Sequence, residues 1–353
     1  MFHDLPRFVF FTGKGGVGKT SLACATALGL ADDGRKVLLV STDPASNVGQ
    51  VFGIEIGDRI TAIPGIPTLE AIEINPEEAA AAYRDKIVGP MRGVLPEKAL
   101  KSIEEQLSGA CTTEIAAFDE FTSLLTDDAM IGRYDHVIFD TAPTGHTVRL
   151  LKLPGAWTGF LDDGKGDASC LGPLAGLEKQ RERYGAAVDR LMDGAETRLV
   201  LVARPTRSAL AEAARTSREL AGIGIRNQHL AINGVMPADD DADPLAAALY
   251  RRDQAALAGM DAELAALPRQ TFPLRSENLV GAAALRRFAS GAPDAMTAAP
   301  DRQVRTADLP GLGALVDGIE QPGKGLVMCM GKGGVGKTTV AAAVAVELAA
   351  RGH

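Results

Sequence analysis

The sequence has no basic tract, no acidic tail and no long apolar run. No apolar stretch reaches the roughly 18 residues that span a bilayer. The first residues also lack the basic and apolar regions of a signal peptide. A net charge of −8 without a basic patch argues against nucleic-acid binding. We therefore expect a cytoplasmic protein that reaches a membrane only through a partner protein.

Cysteine and aromatic residues are scarce. The four cysteines form no C-x-x-C pair, and cytosolic proteins rarely keep disulfides. Cys24 and Cys329 lie in apolar helix and strand patterns, which predicts buried structural thiols. With 46% apolar and 5% aromatic residues, the composition suits an α/β core rich in Ala, Val and Leu. A length of 353 residues fits two domains or one large α/β domain.

A glycine-rich octet near the start fits the phosphate-binding pattern G-x-x-x-x-G-K-[ST]. It consists of Gly13, Lys14, Gly15, Gly16, Val17, Gly18, Lys19 and Thr20. An apolar run at residues 8–11 precedes it and a helical pattern at residues 21–31 follows. A strand, loop and helix in this order direct backbone N–H groups and the helix dipole toward an anion. We expect Lys19 to reach the β- and γ-phosphates of ATP and Thr20 to ligate Mg²⁺.

The same octet returns near the end of the sequence, as Gly331, Lys332, Gly333, Gly334, Val335, Gly336, Lys337 and Thr338. Self-similarity over this distance indicates a duplication. We therefore expect a first ATPase domain at residues 1–287, an interdomain linker at 288–325 and a truncated start of a second domain at 326–353. With only its own strand and helix, the second loop is not expected to form a complete ATP site.

Strands and helices alternate along the sequence, which predicts a doubly wound, mostly parallel α/β sheet. Apolar or alternating runs predict strands at residues 8–11, 36–40, 69–74, 135–139, 198–203, 228–232 and 271–274. A helical insertion at about residues 76–130 interrupts the alternation, with Pro76 at its start. Because a minimal nucleotide-binding fold does not need it, this insertion is a candidate ligand or partner subdomain.

Three polar residues follow predicted strands, where open α/β sheets bind ligands. Asp140 closes an apolar strand in the manner of a Walker B carboxylate and is expected to hold Mg²⁺. Asp43 either orients the attacking water or approaches Mg²⁺, or it is a turn-forming Asp before Pro44. Asn233 either reads a purine edge with its amide or belongs to an Asn-Gly turn.

Three further residues are functional candidates. Cys111 suits soft-metal binding or redox chemistry, and His146 could carry a switch signal or bind a metal. Cys111 follows a helix-breaking glycine, and a cysteine at a helix N-terminus has a lowered thiol pKa. The alternative for Cys111 is a small residue that fills a gap between helices. His146 lies in a candidate switch loop after Asp140, and Cys170 lies further along the chain. Because they are far apart, spacing alone does not predict that these three residues form a metal site.

These segments together resemble the ArsA family, the ATPase subunits of arsenite and antimonite pumps. The resemblance runs from about Pro6 to His353. It is carried by the octet with its extra Lys14, which is the deviant Walker A form of dimeric ATPases. The other matching segments are residues 40–49, 107–116, 140–147 and 168–173.

The resemblance implies a soluble catalytic subunit that hydrolyses ATP with Mg²⁺ to drive arsenite or antimonite efflux. It assigns Asp43 to catalysis and Asp140 to the Mg²⁺-linked switch, and it implies that Lys14 reaches the nucleotide of a partner across a dimer interface. It also implies that Cys111, Cys170 and His146 bind the activating metalloid, since trivalent arsenic is soft and prefers thiolates.

The implied partners are a membrane arsenite efflux permease of the ArsB type, an arsenic metallochaperone, and a second ATPase half or a homodimer partner. The protein would then lie at the inner membrane through its pump partner. The third thiol of the family and the second pair of switch aspartates fall beyond His353. We therefore expect weak or no metalloid-stimulated turnover unless the chain dimerises or meets a second half.

Three other functions share this ATPase core. A targeting ATPase for tail-anchored membrane proteins would typically dimerise through a C-x-x-C zinc site, which the sequence lacks. A MinD-type partitioning ATPase would carry an amphipathic membrane helix or a DNA-binding face, and neither pattern is present. An iron–sulfur protein would need cysteines that bridge two subunits. The contexts of Cys111 and Cys170 fit the ArsA family better.

Overall fold

The structure is a computed structural model that describes residues 2, 4–42, 48–108, 110–141, 177–238, 243–294, 311–321, 324–331 and 335–353. The chain divides into two compact units, Met1–Asp294 and Ala295–His353. The first unit contains the first glycine-rich loop, and the second unit contains the repeated loop.

The first unit is built on a single sheet. Its strands in the described part of the chain are β1 (Phe8–Thr12), β2 (Val37–Ser41), β3 (Thr61–Ala62), β4 (Leu69–Glu73), β5 (His136–Asp140), β6 (Thr197–Ala203), β7 (Gln228–Val235) and β8 (Arg269–Pro273). Their order across the sheet is β3-β4-β2-β5-β1-β6-β7-β8. β3 pairs antiparallel with β4, and the other neighbouring pairs are parallel.

Helices cover both faces of this sheet. In the described residues of the first unit they are α1 (Lys19–Asp32), α2 (Val48–Phe52), α3 (Pro76–Val88), α4 (Glu97–Gln106), α5 (Ala110–Thr126), α6 (Asp128–Ile131), α7 (Leu177–Met192), α8 (Arg207–Gly222), α9 (Pro244–Ala258), α10 (Ala262–Ala265) and α11 (Ala282–Ser290). Because both faces are covered, central strands such as β1 are buried along their whole length. The predicted doubly wound, mostly parallel sheet is confirmed.

The helical insertion lies between β4 and β5 and comprises α3 to α6, with a short 3₁₀ turn at Gly89–Met91. Its start is determined locally. The side chain of Asn75 accepts hydrogen bonds from the N–H groups of Glu77 and Glu78, and Pro76 occupies the first turn, where its missing N–H costs nothing. The sequence predicted this start correctly.

An aromatic cluster joins the insertion to the centre of the sheet. The rings of Phe10 on β1 and Phe139 on β5 stack with centroids 4.4 Å apart. Phe121 of α5 meets Phe139 edge-on at 5.4 Å. All three side chains are buried in one continuous core. The insertion therefore packs directly on the two strands that lead to the predicted nucleotide site.

Two features of the first unit differ from the sequence analysis. The strand β3 was not predicted, because two residues carry no periodicity, and a short antiparallel edge strand depends on its neighbour β4. The helix α11 continues to Ser290, and Phe288 is buried in the core. The first unit therefore extends past residue 288, where the linker was predicted to begin.

The described part of the second unit holds two helices, α12 (Leu312–Glu320) and α13 (Lys337–Ala350). Arg351 joins their ends: one of its terminal nitrogens contacts Asp317 at 2.6 Å and Glu320 at 2.8 Å.

The strand expected before the second loop is absent, since residues 324–331 form no strand in the structure. Cys329, predicted to be buried in that strand, is partly exposed. An extended segment becomes a strand only when a neighbouring strand accepts its hydrogen bonds. The apolar pattern at this position was therefore not sufficient, and the prediction was wrong. Among the described helices of both units, none has the length and apolar character needed to cross a membrane.

An ion pair ties α1, the helix after the first loop, to α11. Arg286 donates two hydrogen bonds of 2.7 Å each to the two carboxylate oxygens of Asp32. These bonds lower the pKa of Asp32 below its ordinary value of 3.8. A carboxylate with a lowered pKa stabilises the fold above its ordinary pKa, and that contribution is lost as the pH falls through the lowered value.

We expect the Asp32→Asn variant to unfold about 1–3 °C below the wild type at pH 7, because an exposed pair contributes little. The difference should shrink toward zero below about pH 4. Thermal unfolding at several pH values measures this. Asp33→Asn, at the next and exposed position, is the control. An equal loss in both variants at pH 7 would contradict a specific role of the ion pair.

Candidate functional site

The first glycine-rich loop joins β1 to α1 and is pressed against two strands on one side. A Cβ at Gly13 would lie 2.2 Å from the carbonyl oxygen of Val202 on β6. A Cβ at Gly18 would lie 2.2 Å from Nδ2 of Asn233 on β7. Gly18 also has a φ of 95°, which side chains rarely adopt. These glycines are therefore required by packing within the protein as well as by any phosphate.

Lys19 begins α1 and lies over the loop. Its side chain is buried, and Nζ lies 3.5 Å from the backbone carbonyl oxygen of Lys14, to which it donates. Lys14, by contrast, is exposed. An ammonium group at a helix N-terminus, beside the N–H groups of a glycine-rich loop, provides the charge and the donors that phosphate needs.

The predicted Mg²⁺ ligands lie together. Thr20 Oγ1 donates a 2.7 Å hydrogen bond to Asp140 Oδ2, although 120 positions separate the two residues. The parallel register accounts for this, since Asp140 on β5 lies opposite Phe11 on β1 and Ser41 on β2. The side chain of Asp140 is fully buried. Both residues are where the sequence predicted them, and their roles as ligands stay predictions.

The side-chain oxygen atoms at the carboxyl ends of β2 and β5 suit a hydrated magnesium ion. Mg²⁺ prefers oxygen ligands, takes one or two from the protein and keeps several waters. Ser41 Oγ is buried at the end of β2, beside Asp140, and has no hydrogen-bond partner among the described residues. Buried hydroxyl groups are normally hydrogen-bonded, so a water of the hydrated ion would complete this edge. Thr20 and Asp140 would hold the ion.

Asp43 falls in residues 43–47, outside the described part of the chain. Both flanks of that segment are anchored at the same edge. The N–H of Thr42 donates to the carbonyl oxygen of Asp140 at 2.9 Å, and the N–H of Gly49 donates to Glu73 Oε1 at 3.1 Å. Glu73 belongs to no motif and was not predicted, although it closes β4 as Asp140 closes β5. The catalytic role of Asp43 stays a prediction.

Cys24 lies in the core of the first unit, as the sequence predicted. Complete burial raises the pKa of its thiol, and the carboxylates of Asp140 and Glu73 raise it further. Cys24 is therefore a neutral thiol below the predicted Mg²⁺ site and has a structural role.

Asn233 lies inside β7, near its C-terminal end, and its Nδ2 donates a 2.8 Å hydrogen bond to the carbonyl oxygen of Val17. This contact joins β7 to the phosphate loop. The predicted recognition of a purine edge by this amide is not tested by the contact.

The segment after β8 is held by two sets of contacts. Arg287 donates to both carboxylate oxygens of Glu277, at 2.6 and 3.0 Å. Asp294 accepts from the N–H and the hydroxyl of Ser276 at 2.6 Å each, and from Arg275 at 3.0 Å. These contacts were not predicted from the sequence, because Arg275 and Asp294 belong to no motif.

The predicted metalloid ligands are only partly placed. Cys111 is the second residue of α5, and its side chain lies outside the described part of the structure. His146 and Cys170 both fall in residues 142–176, which the structure does not describe. Whether the three residues meet stays a prediction.

The repeated loop reproduces the local geometry of the first, although Lys332, Gly333 and Gly334 lie outside the described residues. Gly336 has a φ of 90°, close to the 95° of Gly18, and each precedes a 14-residue helix. The surroundings differ: a Cβ at Gly336 would meet nothing within 4 Å. Val335 is 63% exposed, whereas its counterpart Val17 is 3% exposed.

The site combines a phosphate loop with a buried carboxylate on the neighbouring strand. The comparison with known families agrees with this arrangement. The sequence matches the family described as anion-transporting ATPase over residues 6–293 and 324–353. The chain belongs to this family. The resemblance predicted from the sequence is confirmed. The unmatched residues between the two ranges fall within the region where a linker was predicted.

Two similar proteins are called arsenical pump-driving ATPase. One, from Escherichia coli, is 59% identical over 350 residues, which cover 99% of this chain and 60% of that protein. The other, from Acidiphilium multivorum, is 56% identical over 353 residues, which cover 100% of this chain and 60% of that protein. The chain therefore spans 60% of the length of these relatives.

A more distant relative is the ATPase GET3B of Arabidopsis thaliana. It is 31% identical over 324 residues, which cover 79% of this chain and 77% of that protein.

The first prediction from the site concerns Asp140, the predicted Mg²⁺ carboxylate. We expect Asp140→Asn to lower the Mg²⁺ affinity of the ATP complex about 10- to 100-fold, because an amide replaces the charged oxygen at 2.7 Å from Thr20. Titration of ATP hydrolysis with Mg²⁺ measures this. Asp135→Asn is the matched control, since Asp135 precedes the same strand and accepts from the N–H of Lys36 at 2.8 Å. An unchanged Mg²⁺ requirement in Asp140→Asn would show that the carboxylate does not serve the ion.

The second prediction concerns the close packing of the loop. Gly18→Ala should bind ATP at least about tenfold more weakly, because its Cβ would displace Asn233 from the loop. Gly34→Ala is the control, since Gly34 also has a positive φ, of 81°, but its Cβ would meet nothing within 4 Å. Both variants carry the cost of a side chain at positive φ, about 1–2 kcal/mol. Calorimetric titration with ATP separates them, and equal affinities would refute the packing argument.

Proposed function

We propose that this chain hydrolyses ATP to drive the export of arsenite and antimonite, as the catalytic subunit of a membrane pump activated by the metalloid. The observation that carries the ATPase part is the hydrogen bond between Thr20 and Asp140 at the end of the phosphate loop. The arsenical part is supported by the 59% identity to an arsenical pump-driving ATPase. Because this chain spans 60% of that relative, its own activity, substrate and partners are proposed here.

In the proposed mechanism, the loop N–H groups and the start of α1 bind the phosphates, and Lys19 supplies the positive charge. Bound Mg²⁺ would neutralise charge on the transferred phosphoryl group and would be held by Thr20 and Asp140. Asp43 would orient the attacking water. The exposed side chain of Lys14 is free to extend from the loop toward the nucleotide of a partner subunit.

The metalloid would bind Cys111, Cys170 and His146, because As(III) and Sb(III) prefer thiolates. The helix α5, which begins next to Cys111, is linked to the ATPase core at several points. Phe121 of α5 packs on the ring of Phe139 on β5, one residue before Asp140. A strand that carries the Mg²⁺ carboxylate therefore supports the helix that carries a proposed metalloid ligand.

Two arginines of α7 also contact the segment that contains α5. Arg183 pairs with Asp119 of α5, whose side chain is 13% exposed. Arg190 donates to the carbonyl oxygen of Leu125 and, at 2.6 Å, to Asp128. Since α7 follows the segment that contains His146 and Cys170, these contacts support a coupling in which metalloid binding favours one arrangement of α5, α7 and β5. Such coupling requires that the metalloid bind that arrangement more tightly.

The proposed partners are a membrane arsenite permease, which would place the chain at the inner membrane, and an arsenic metallochaperone that delivers the metalloid. A second ATPase half or a second copy of the chain would supply the opposite face of the nucleotide. The targeting of tail-anchored proteins is the alternative. The 59% identity to an arsenical pump-driving ATPase, against 31% to the ATPase GET3B, favours export.

The proposal predicts that the chain binds antimonite through two of its thiols. We expect antimonite to protect these thiols from a thiol reagent, and the protection to be lost in Cys111→Ala and in Cys170→Ala. Cys329→Ala removes a partly exposed thiol outside the proposed set and is the matched control. Basal ATP hydrolysis should persist in all three variants.

Protection that survives in both Cys111→Ala and Cys170→Ala would contradict the metalloid site. Antimonite that binds the wild-type chain and leaves the rate of ATP hydrolysis unchanged, even when the chain is dimeric or a second ATPase half is present, would contradict metalloid activation.

A further inference from the structure

The side chain of Asn233 is packed on the last turn of the phosphate loop. Its Nδ2 donates to the carbonyl oxygen of Val17 at 2.8 Å, across 216 positions of sequence. The same nitrogen would lie 2.2 Å from a Cβ at Gly18. Asn233 is on β7, which is separated from the loop-bearing β1 by β6. The amide therefore reaches over β6 to contact the loop.

This hydrogen bond determines the direction of one loop N–H group. The peptide bond between Val17 and Gly18 is planar and trans, so its carbonyl and its N–H point to opposite sides. When Asn233 holds the carbonyl toward β7, the N–H of Gly18 is directed away from β7. Gly18 immediately precedes α1, where loop N–H groups bind phosphate. A shift of this peptide plane would change the direction of the Gly18 N–H, which is a hydrogen-bond donor to the bound anion.

In the described residues of the second loop, 331 and 335–338, no side chain approaches the last glycine as Asn233 approaches Gly18. Val335 replaces Val17 and is 63% exposed, whereas Val17 is 3% exposed. A Cβ at Gly336 would meet nothing within 4 Å. The backbone of Gly336 still adopts a φ of 90°, so the turn itself does not need the asparagine. At the first loop, the contact with Asn233 fixes the position of the loop relative to the sheet.

We propose that Asn233 is a positioning residue for the phosphate loop. It anchors the Val17–Gly18 peptide, and it contributes to triphosphate binding whatever base the nucleotide carries. The proposal rests on the proposed function only in requiring that ATP bind at this loop. It differs from the recognition of a purine edge, which would depend on the base and not on the phosphates.

The test compares MgATP with magnesium tripolyphosphate, which has the phosphates but no base. Asn233→Leu removes the donor with little change in size and adds no charge near the phosphates. We expect this variant to bind both ligands about tenfold more weakly, by the same factor, as the loss of one hydrogen bond predicts. Calorimetric titration measures both affinities.

Asn227→Leu is the matched control. Asn227 lies just before β7, at the opposite end of the strand, is also partly exposed, and donates to the carbonyl oxygens of Gly194 and Thr197 at 2.8 and 2.9 Å. Its variant loses the same kind of hydrogen bond far from the loop. We expect it to bind both ligands as the wild type does, and a thermal unfolding curve for each variant shows that both are folded.

Weaker binding of ATP with unchanged binding of tripolyphosphate would overturn the proposal, since it would assign Asn233 to the base. An equal weakening in Asn227→Leu would also overturn it, because the effect would then be one of general stability. The failure of antimonite to bind would contradict the proposed function and would leave this comparison intact.

Discussion

The hydrogen bond between Thr20 and Asp140 joins the first turn of α1 to the end of β5, and the arrangement of the site depends on it. It requires β1 and β5 to be parallel neighbours in a register that brings Phe11 opposite Asp140. The same register places Ser41 of β2 on the other side of Asp140. The buried carboxylate of Asp140 therefore contacts α1, the helix after the phosphate loop. It is also adjacent to β2, the strand that leads to Asp43.

The helical insertion is not a separate appendage, because its longest helix packs on the strands that form this site. Phe121 meets the stacked rings of Phe10 and Phe139, and Arg183 holds the same helix through Asp119. A ligand that moved α5 would have to repack this cluster or move β5 with it. Close-packed interiors respond to such forces by discrete rearrangements and not by gradual deformation. This property suits a protein in which a metalloid is proposed to control ATP hydrolysis.

The sequence predicted the sheet and the central residues of the site because each has a local signal. The long strands are apolar runs, and Thr20 and Asp140 belong to motifs at strand and helix ends. Contacts without a motif were not found, among them Glu73 with Gly49 and Asp294 with Ser276. The prediction of a strand before the second loop was wrong, because an apolar run forms a strand only beside another strand. The two-residue β3 was missed for a related reason, since its pairing with β4 is a property of the fold.

The repeated octet separates what the sequence determined from what the tertiary structure decided. Glycine at the loop end followed by a good helix former gives nearly the same backbone twice, with φ of 95° at Gly18 and 90° at Gly336. These torsions depend on neighbouring residues, so the sequence alone determines them. The burial of the loop is not determined by the neighbouring residues alone, since Val17 is 3% exposed and its counterpart Val335 is 63% exposed. Only the folded sheet brings Val202, Asn233 and Asp140 to the first loop, because they come from distant strands that meet at one edge.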